Sequence, residues 1–547
     1  MINPDLPAGY HVENLTTLLH AVVAQYEDLL DAHELELYQR YSSLSSTAKS
    51  LYYRLLTRRG QFLRQDKLNY DDIPQLNMTL AELCESGMAS SNHAADPALL
   101  LGLLTRPELI QHFKPSGHSK LNKQQLLATI LEQTDSELIL ETLRAAFPYV
   151  EAHYQDAFET FQVCFFGNNH QDLSEFVIRD LGHVQYENYS LCRQTRYFQT
   201  RQQLQQQMLY SSARQQLDDP LLLQNAHALI QLAHGLPAPD HHPHLQRRYQ
   251  KAIIHIARQL ERLQCMPDAL QLYQRCDRHP SRERQIRILK KQGDFDAAMA
   301  LCRDIAAHGQ HPEELEFAQR FLPQLQRASG LNIQAQKRPE FREFELVLPK
   351  TAEAVEHQAA AALTDDLHIA CYVENTLFNG LFGLFFWDII FTATPGAFIN
   401  AFQRGPLDLS SEDFYLRRQP ALNARLAQLR RPDWQTVIRK HYAAKQGIAN
   451  PFVVWEALTT ELLELALLRI PAQHLQSLFQ RQLYHPGLFR NGFPDLIRFS
   501  QNDYELIEVK APGDTLQANQ IRWLKHFQQY AIPACVCWVH WDSAADD

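Results

Sequence analysis

The sequence predicts an α+β multidomain protein, in which a mostly helical N-terminal region precedes a C-terminal α/β core with a helical insertion. A chain of 547 residues is long enough for several domains. Hydrophobic residues make up 45% of it and only 19 residues are glycine, which is typical of helix-rich globular proteins. Short β-type runs flanking one amphipathic helix appear after residue 493.

Residues 1–93 are predicted to form a helical N-terminal domain that binds DNA. Its basic residues are interleaved with the aromatic residues Tyr52, Tyr53, Phe62 and Tyr70. Basic side chains suit the phosphate backbone and aromatic rings suit stacking on bases, although a solvated helix face has the same composition. The candidate DNA-binding residues are Arg54, Arg58, Arg59, Arg64 and Lys67. Residues 90–96 are expected to be a polar linker.

Residues 94–140 are predicted to form two short helices, 104–113 and 122–130, around a basic loop that contains Gly117. This arrangement resembles a SAP module, which binds duplex DNA through its backbone; a plain helical hairpin is the alternative. The candidate phosphate contacts are Lys114, His118, Lys120 and Lys123.

Residues 141–245 are predicted to be a helical linker region. Its end, 234–244, holds four histidines that suggest metal binding, but three prolines favour a stiff linker. Residues 246–330 are predicted to be TPR-like helical repeats, because 267–275 resembles 295–303 at an offset of 28 residues. Residues 331–350 are expected to be a connector to a final domain, 351–547.

The most specific pattern in the final domain is Phe493-Pro494-Asp495, followed after twelve residues by Glu508-Val509-Lys510. It predicts a hairpin with strands at 496–499 and 504–510 around a turn at 500–503. Because side chains alternate along a strand, Glu508 and Lys510 should share a face, with Asp495 on the neighbouring strand. A helix at 516–527 and a strand at 534–539 should follow.

These residue types suit hydrolysis of a phosphodiester. Two carboxylates and the backbone carbonyl of Val509 are hard oxygen ligands, which favour Mg²⁺ or Mn²⁺ over zinc. Lys510 would orient the attacking water, lower its pKa or stabilise the developing oxyanion. The pattern is the PD-(D/E)xK arrangement of metal-dependent nucleases, whereas an exposed hairpin with a surface Glu–Lys pair is the alternative.

Glu374 is a further candidate metal ligand, on a stretch expected to be helical. Ala370, Val373, Leu377 and Leu381 occur at helical spacing, and Glu374 lies beside that apolar stripe. A carboxylate at the edge of a buried face requires a partner, because burying an unpaired charge is unfavourable. A metal ion or an arginine would both serve, and the spacing leaves the two open.

Several separated motifs together resemble one family. Gly492-Phe493-Pro494-Asp495-Leu496, residues 508–514 and residues 520–524 resemble the VRR-NUC domain, and residues 373–378 and 384–391 resemble the matching block of the Fanconi-associated nuclease family. The resemblance implies a restriction-endonuclease-like core in which Glu374, Asp495 and Glu508 bind metal, Lys510 is catalytic and Gln520 supports the site. Thr515 departs from the family, which often has a basic residue there.

The resemblance implies a structure-selective DNA nuclease that uses one or two Mg²⁺ or Mn²⁺ ions. It would cut near 5′ flaps and trim DNA from 5′ to 3′ in interstrand crosslink repair, with branched or flapped duplex DNA as its partner. A Holliday-junction resolvase-like endonuclease is one alternative, against which the long helical N-terminal part argues. A non-catalytic DNA-binding scaffold is another, against which the intact Asp495, Glu508 and Lys510 argue.

The composition also bears on location. The formal net charge of −10 does not exclude DNA binding, because local potential depends on where the charges cluster. The sequence has no run of eighteen apolar residues and no secretory signal at Met1, so neither membrane nor export is expected. Nine scattered cysteines suggest reduced thiols in the cytoplasm. No N-terminal zinc finger is visible, which suggests a bacterial, nucleoid-associated member of the family.

Overall fold

The computed structural model describes residues 9–542, apart from 59, 94, 116–120, 169–183, 240–241, 310 and 335–338. The chain divides into two compact units, one of residues 1–183 with 198–208, and the other of residues 184–197 with 209–547. In the described part of the chain, no helix has the length and apolar character needed to span a membrane. The predicted mixture of a helical N-terminal region and a C-terminal sheet is confirmed.

The first unit is built from helices and one small sheet. Its helices are α1 (Tyr10–Tyr26), α2 (Ala32–Ser43), α3 (Ser46–Leu56), α4 (Leu76–Glu85), α5 (Pro97–Leu101), α6 (Arg106–Phe113), α7 (Lys123–Gln133), α8 (Ser136–Ala146) and α9 (Gln155–Phe166). Strands β1 (Phe62–Arg64), β2 (Ala89–Ser91) and β3 (Tyr149–Ala152) form an antiparallel sheet in the order β1-β3-β2. The expected linker at 90–96 is therefore wrong at its start, because Ser90 pairs with Glu151.

Local capping explains where two of these helices begin. Asp31 and Glu34 form a reciprocal capping box at the start of α2, and Thr105 and Glu108 form another at the start of α6. The two helices expected around the basic loop are α6 and α7, which pack on α5 and α8 around buried Leu109 and other apolar side chains. The loop residues 116–120, which include Lys120, lie outside the described residues.

The second unit opens with a run of helices. They are α10 (Arg201–Gln216, within which the division between the units falls), α11 (Pro220–Leu223), α12 (Ala226–Gly235), α13 (Pro243–Arg262), α14 (Met266–Gln274), α15 (Ser281–Gln292), α16 (Phe295–His308) and α17 (Pro312–Ala328). Consecutive helices from α13 to α17 pack on one another, and the two similar segments of sequence fall on α14 and α16. This alternation is typical of helical repeats.

The histidine-rich segment at 234–244 is only partly the stiff linker that its prolines suggest. His242 is the N-cap of α13, and its Nδ1 accepts a hydrogen bond from the Leu245 N–H at 3.3 Å. Pro243 occupies the first turn of the same helix, where its missing N–H is tolerated. His244 is also buried, so this end of the segment is an anchored helix start.

The C-terminal sheet has five strands: β4 (Glu343–Leu348), β5 (Ile369–Tyr372), β6 (Leu496–Phe499), β7 (Tyr504–Lys510) and β8 (Ala534–Trp541). Their order is β4-β8-β7-β6-β5; β4, β8 and β7 run parallel, whereas β6 and β5 join by antiparallel pairs. The helices around the sheet are α18 (Val355–Ala362), α19 (Leu377–Phe385), α20 (Trp387–Ile390), α21 (Asp413–Gln428), α22 (Gln435–Ala444), α23 (Thr460–Arg469), α24 (Ala472–Tyr484), α25 (Pro486–Phe489) and α26 (Ala518–Gln529). Residues 343–348, expected in the connector, instead form the edge strand β4.

The central strand β7 separates two apolar clusters. All seven of its residues are buried. Leu506 belongs to the cluster that includes Trp523 of α26, whereas Ile507 and Val509 belong to the cluster on the other face. The predicted hairpin is therefore confirmed in its strands, its turn and its alternation, and Glu508 and Lys510 lie on the same face as Leu506.

Candidate active site

Asp495 and Glu508 come together where β6 begins beside β7. The pairing of Leu496 with Ile507 places the preceding Asp495 beside Glu508. Asp495 Oδ2 accepts a hydrogen bond from the Val509 N–H at 2.8 Å, which fixes the carboxylate against the neighbouring strand. Asp495 is 7% exposed and Glu508 is 1% exposed, so two carboxylates are buried side by side.

The electrostatics of this pair favour a bound cation. Burial, together with the nearby charge of Glu374, raises the pKa of Asp495 to about 6, although the hydrogen bond from the Val509 N–H opposes this. Burial and the charge of Asp495 raise the pKa of Glu508 to about 8, although Lys510 opposes this. Lys510 Nζ lies 2.8 Å from Glu508 Oε1. One ammonium does not neutralise two buried carboxylates, and a divalent cation would supply the missing positive charge.

Gln520 supports Glu508 from the first turn of α26. Its amide Nε2 donates to Glu508 Oε1 at 2.5 Å. Its Oε1 accepts from the Gln517 N–H at 2.8 Å and completes a capping box. One side chain therefore connects the start of the helix to the buried carboxylate, as outer partners of metal ligands do.

Glu374 lies beside the pair, but not on the helix that its spacing suggests. Ala370 belongs to the edge strand β5 and pairs with Arg498, and α19 begins only at Leu377. The helical expectation for residues 370–374 is therefore wrong, because pairing with β6 overrides the spacing of apolar residues. The Val373 N–H donates to the backbone carbonyl of Asp495 at 2.8 Å, which ties the turn that carries Glu374 to Asp495.

The partners of Glu374 are two residues that sequence reasoning missed. Tyr372 Oη donates to Glu374 Oε2 at 2.7 Å, and Asn375 Nδ2 donates to Oε1 at 3.0 Å. Within the described ranges, no arginine or lysine forms an ion pair with Glu374, so the alternative of an ordinary ion pair has no support. The sequence offered only a weak indication of the role of Asn375, namely that asparagine tolerates the left-handed backbone conformation that this turn requires.

Val509, predicted to offer its carbonyl oxygen, lies between Glu508 and Lys510 on β7. Its N–H donates a hydrogen bond to Asp495 Oδ2, so the Val509 backbone already contacts one of the two buried carboxylates. The side chain of Val509 points into the opposite apolar face, which leaves only its backbone for the site. The carbonyl remains a predicted ligand.

One other group of metal-binding side chains exists in the described part of the chain. His279, His311 and Glu313 bring one ligand atom each within 4.8 Å of one another, a spacing that Glu374, Asp495 and Glu508 do not meet together. However, the rings of His279 and His311 are stacked at 4.5 Å with 6° between their planes. Their lone pairs therefore lie in two separate, nearly parallel planes, which is a poor arrangement for binding one ion. Glu313 is also paired with Arg522 at 3.2 Å.

The predicted DNA-binding residues lie in different surroundings. Arg54 pairs with Asp72 at 2.8 Å and lies over the ring of Tyr70, as Arg58 also does. Lys67 and Lys114 are exposed, and Lys123 Nζ donates to the Gly102 carbonyl at 2.8 Å. Arg59 and Lys120 lie outside the described residues.

Arg64 differs from the others because its guanidinium is occupied within the protein. It pairs with Asp66 and with Glu108, both at 2.7 Å, and its side chain is 12% exposed. It also lies over the ring of Phe147 at 4.4 Å. This geometry favours a structural role that joins β1 to the start of α6.

Three family profiles match the chain. The VRR-NUC domain matches residues 430–541, the FAN1 HTH domain matches residues 9–90, and the Fanconi anemia-associated nuclease SAP domain matches residues 96–142. The first match contains Asp495, Glu508, Lys510 and Gln520 but not Glu374.

Curated relatives extend the similarity to nearly the whole chain. The Fanconi-associated nuclease 1 homolog of Pseudomonas aeruginosa is 34% identical over 98% of this chain and 97% of its own length. The Arabidopsis thaliana homolog is 23% identical over 93% of this chain and 64% of its own length. Human Fanconi-associated nuclease 1 is 24% identical over 97% of this chain and 62% of its own length. The chain thus spans less than two thirds of the plant and human proteins.

Solved structures show the same fold. The crystal structure of paFAN1 bound to DNA with a 2-nucleotide 5′ flap and a gap has a TM-score of 0.85 and 34% identity, and covers 100% of both chains. The structure of paFAN1 with a 1-nucleotide 5′ flap and a gap has a TM-score of 0.82 and 33% identity, and covers 98% of this chain and 99% of that one. The predicted fold class is confirmed.

Proposed function

Because the chain belongs to the Fanconi-associated nuclease family, and is therefore a nuclease with a divalent-metal-dependent VRR-NUC domain, we propose that it cuts duplex DNA next to 5′ flaps. The 5′-flap DNA bound by paFAN1, whose fold covers this entire chain, supports this substrate. Trimming of DNA from 5′ to 3′ and a role in interstrand crosslink repair belong to the same proposal. The observation that carries it is the buried trio of Asp495, Glu508 and Lys510 on one side of the hairpin.

Glu374, Asp495, Glu508 and the carbonyl of Val509 are the proposed metal ligands. All four offer oxygen atoms, which favours one or two Mg²⁺ or Mn²⁺ ions. A bound divalent cation supplies positive charge to the phosphoryl oxygens and lowers the pKa of a coordinated water. The raised pKa values of Asp495 and Glu508 support this assignment, because burial without a cation disfavours two neighbouring negative charges.

Lys510 and Gln520 have the remaining proposed roles in the site. Lys510 holds its ammonium 2.8 Å from Glu508 Oε1, at the edge of the carboxylate pair, where it can orient a water or stabilise charge on a phosphoryl oxygen. Gln520 donates its amide Nε2 to the same oxygen, Glu508 Oε1. The two side chains therefore fix Glu508 before any substrate binds.

The first unit contains the residues that we propose contact the DNA backbone. We assign phosphate contacts to Arg54, Arg58, Arg59, Lys67, Lys114, Lys120 and Lys123. The proposed domains are 1–93, 94–140, 141–245, 246–330 and 351–547, and β4 (Glu343–Leu348) adds an edge strand to the sheet of the last one. Contacts to phosphates depend on the shape and charge of the DNA and not on its base sequence, which suits a nuclease selective for branched structure.

All nine cysteines are free thiols, which supports a location in the cytoplasm or on the nucleoid.

The test is cleavage of an end-labelled 5′-flap duplex with Mg²⁺, Mn²⁺ or EDTA by the wild type and Lys510→Ala. We expect metal-dependent cutting near the junction that is lost in the variant, with flap binding retained. Tight binding without cutting of flap, nicked or four-way DNA would favour the non-catalytic scaffold. Cutting restricted to four-way junctions would favour a resolvase.

A further inference from the structure

Both carboxylate oxygens of Glu374 accept hydrogen bonds from residues close to it in the sequence. Tyr372, the last residue of β5, donates its hydroxyl to Oε2 at 2.7 Å, and Asn375 donates its amide to Oε1 at 3.0 Å. Each oxygen of a carboxylate has two lone pairs, so both donors leave room for a cation. Two bonds to one carboxylate restrict its rotation and determine which way its free lone pairs point.

Asn375 also connects Glu374 to the segment that carries Asp495. Its side-chain Oδ1 accepts a hydrogen bond from the Phe493 N–H at 3.2 Å, while its Nδ2 donates to Glu374. The Asn375 backbone has φ of 51°, a left-handed conformation that asparagine adopts more readily than most residues. A single amide therefore connects Glu374 to the segment that precedes Asp495, more than a hundred positions away in the chain.

Asn375 is itself fixed by hydrogen bonds from a row of buried side-chain amides. The Asn375 carbonyl accepts from Asn379 Nδ2 at 2.7 Å, and the same nitrogen donates to the Arg490 carbonyl at 2.7 Å. Asn379 Oδ1 accepts from Gln482 Nε2 at 2.8 Å. Asn379 is 4% exposed and Gln482 is 0% exposed, so this row is anchored in the core rather than in solvent.

From this arrangement we infer that Tyr372 and Asn375 are positioning residues, which hold Glu374 in register with Asp495 so that both can bind the same cation. The inference rests on the proposed function, because it takes Glu374 and Asp495 as metal ligands. Both residues act through Glu374. Outer partners that orient metal ligands typically contribute about 10-fold to 100-fold in metal affinity or activity.

The test measures binding of Mn²⁺ to the full chain without DNA, by electron paramagnetic resonance of the free ion. Asn375→Gly keeps the left-handed turn and removes both side-chain bonds, and we expect its Mn²⁺ dissociation constant to rise about 10-fold or more. Asn92→Gly is the matched control, since Asn92 also has φ of 51° and also accepts a backbone N–H, that of Tyr149 at 2.9 Å. It should bind Mn²⁺ as the wild type does.

Tyr372→Phe keeps the test decisive if Asn375→Gly fails to fold. It removes one hydroxyl from a side chain that is 41% exposed, and we expect a weaker effect of about threefold on the dissociation constant, because water can replace part of the bond. Tyr530→Phe is its control, at 45% exposure on α26's C-terminal side. The half-saturating Mg²⁺ concentration for flap cleavage should also rise, and it should rise more for Asn375→Gly than for Tyr372→Phe.

Unchanged Mn²⁺ affinity in both Asn375→Gly and Tyr372→Phe would overturn the inference. A loss of affinity that each control shares would also overturn it, since the effect would then be a general one on the fold. Absence of Mn²⁺ binding and of cleavage in the wild type would be a failure of the proposed function instead. The two failures are therefore distinct.

Discussion

Gln520 is joined to Glu508 by a 2.5 Å hydrogen bond from its amide Nε2, and through its Oε1 it also caps the helix that follows the active strand. These two bonds use opposite ends of one amide group. A substitution can therefore remove one bond and keep the other, so the role in the fold and the role in the site are separable.

Gln520→Glu should keep the helix and damage the site. A glutamate at this position still accepts the Gln517 N–H, as in the usual capping box, but it places a carboxylate against Glu508. We expect the helical content to stay near that of the wild type, with single-turnover flap cleavage reduced about 10-fold or more.

Gln520→Ala is the companion variant because it removes both bonds. It should lower the unfolding free energy by about 1 kcal/mol through the lost cap, in addition to slowing cleavage. Equal cleavage rates for Gln520→Glu and the wild type would show that the amide does not support Glu508.

Asp495→Asn should abolish metal binding while leaving the hairpin intact. The substitution preserves the volume of the side chain, and its carbonyl can still accept the Val509 N–H, but it removes a charge from the metal site. We expect flap cleavage to fall by about 10³-fold, as loss of several kcal/mol of charge stabilisation implies, with flap affinity in EDTA nearly unchanged.

The comparison with Asp495→Ala distinguishes a ligand from a structural residue. The alanine leaves the buried Val509 N–H without its acceptor, which typically costs about 1–3 kcal/mol of stability. If Asp495→Asn melts as early as Asp495→Ala, the charge itself stabilises the fold, and the assignment of Asp495 as a metal ligand loses its main support.

The metal-free protein should lose stability as pH rises. Asp495 and Glu508 have folded-state pKa values of about 6 and about 8, above the ordinary values of 3.8 and 4.5. Groups with raised pKa values favour the folded state fully below the ordinary pKa, and this contribution is lost as pH rises through the folded value. The melting temperature in EDTA should therefore fall between about pH 4 and pH 8.

The size of this effect and its reversal are both measurable. For Asp495 alone, the rise from 3.8 to about 6 corresponds to about 3 kcal/mol. Glu508→Gln should flatten the decline, because the glutamine does not titrate, and saturating Mn²⁺ should offset it in the wild type by binding the ionised pair. Identical pH profiles for the wild type and Glu508→Gln in EDTA would contradict the raised pKa of Glu508.

Arg58 and Lys67 should affect DNA affinity, whereas Arg64 should affect stability. Lys67 is exposed and the Arg58 guanidinium lies over the Tyr70 ring, but Arg64 is held by Asp66 and Glu108. The double variant Arg58→Ala with Lys67→Ala should weaken flap binding and reduce the slope of log K against log salt concentration by about 2.

Arg64→Ala is the matched control for this charge removal. It should lower the melting temperature and leave the salt slope unchanged, because loss of even one phosphate contact would reduce the slope by about 1. A salt slope that falls for Arg64→Ala but not for the double variant would reverse the two assignments, and would place the DNA backbone against β1 and α6.

The sequence alone was sufficient wherever the signal was local. The hairpin at 496–499 and 504–510 and the shared face of Glu508 and Lys510 follow from turn residues and the two-residue period of a strand, which operate over a few positions. The family resemblance rested on the same short motifs, and the profile and structural matches confirmed it.

Only the tertiary structure decided how distant segments meet. Glu374 occurs at helical spacing in the sequence, but β5 pairs with β6 from more than a hundred positions away, and those backbone hydrogen bonds outweigh a local preference. The ion pair of Arg64 with Glu108 and the pairing of β4 with β8 are long-range in the same way. Short-range patterns carry no information about which strand edge or which charge lies nearby after folding, so the bonds from Tyr372 and Asn375 to Glu374 became visible only in three dimensions.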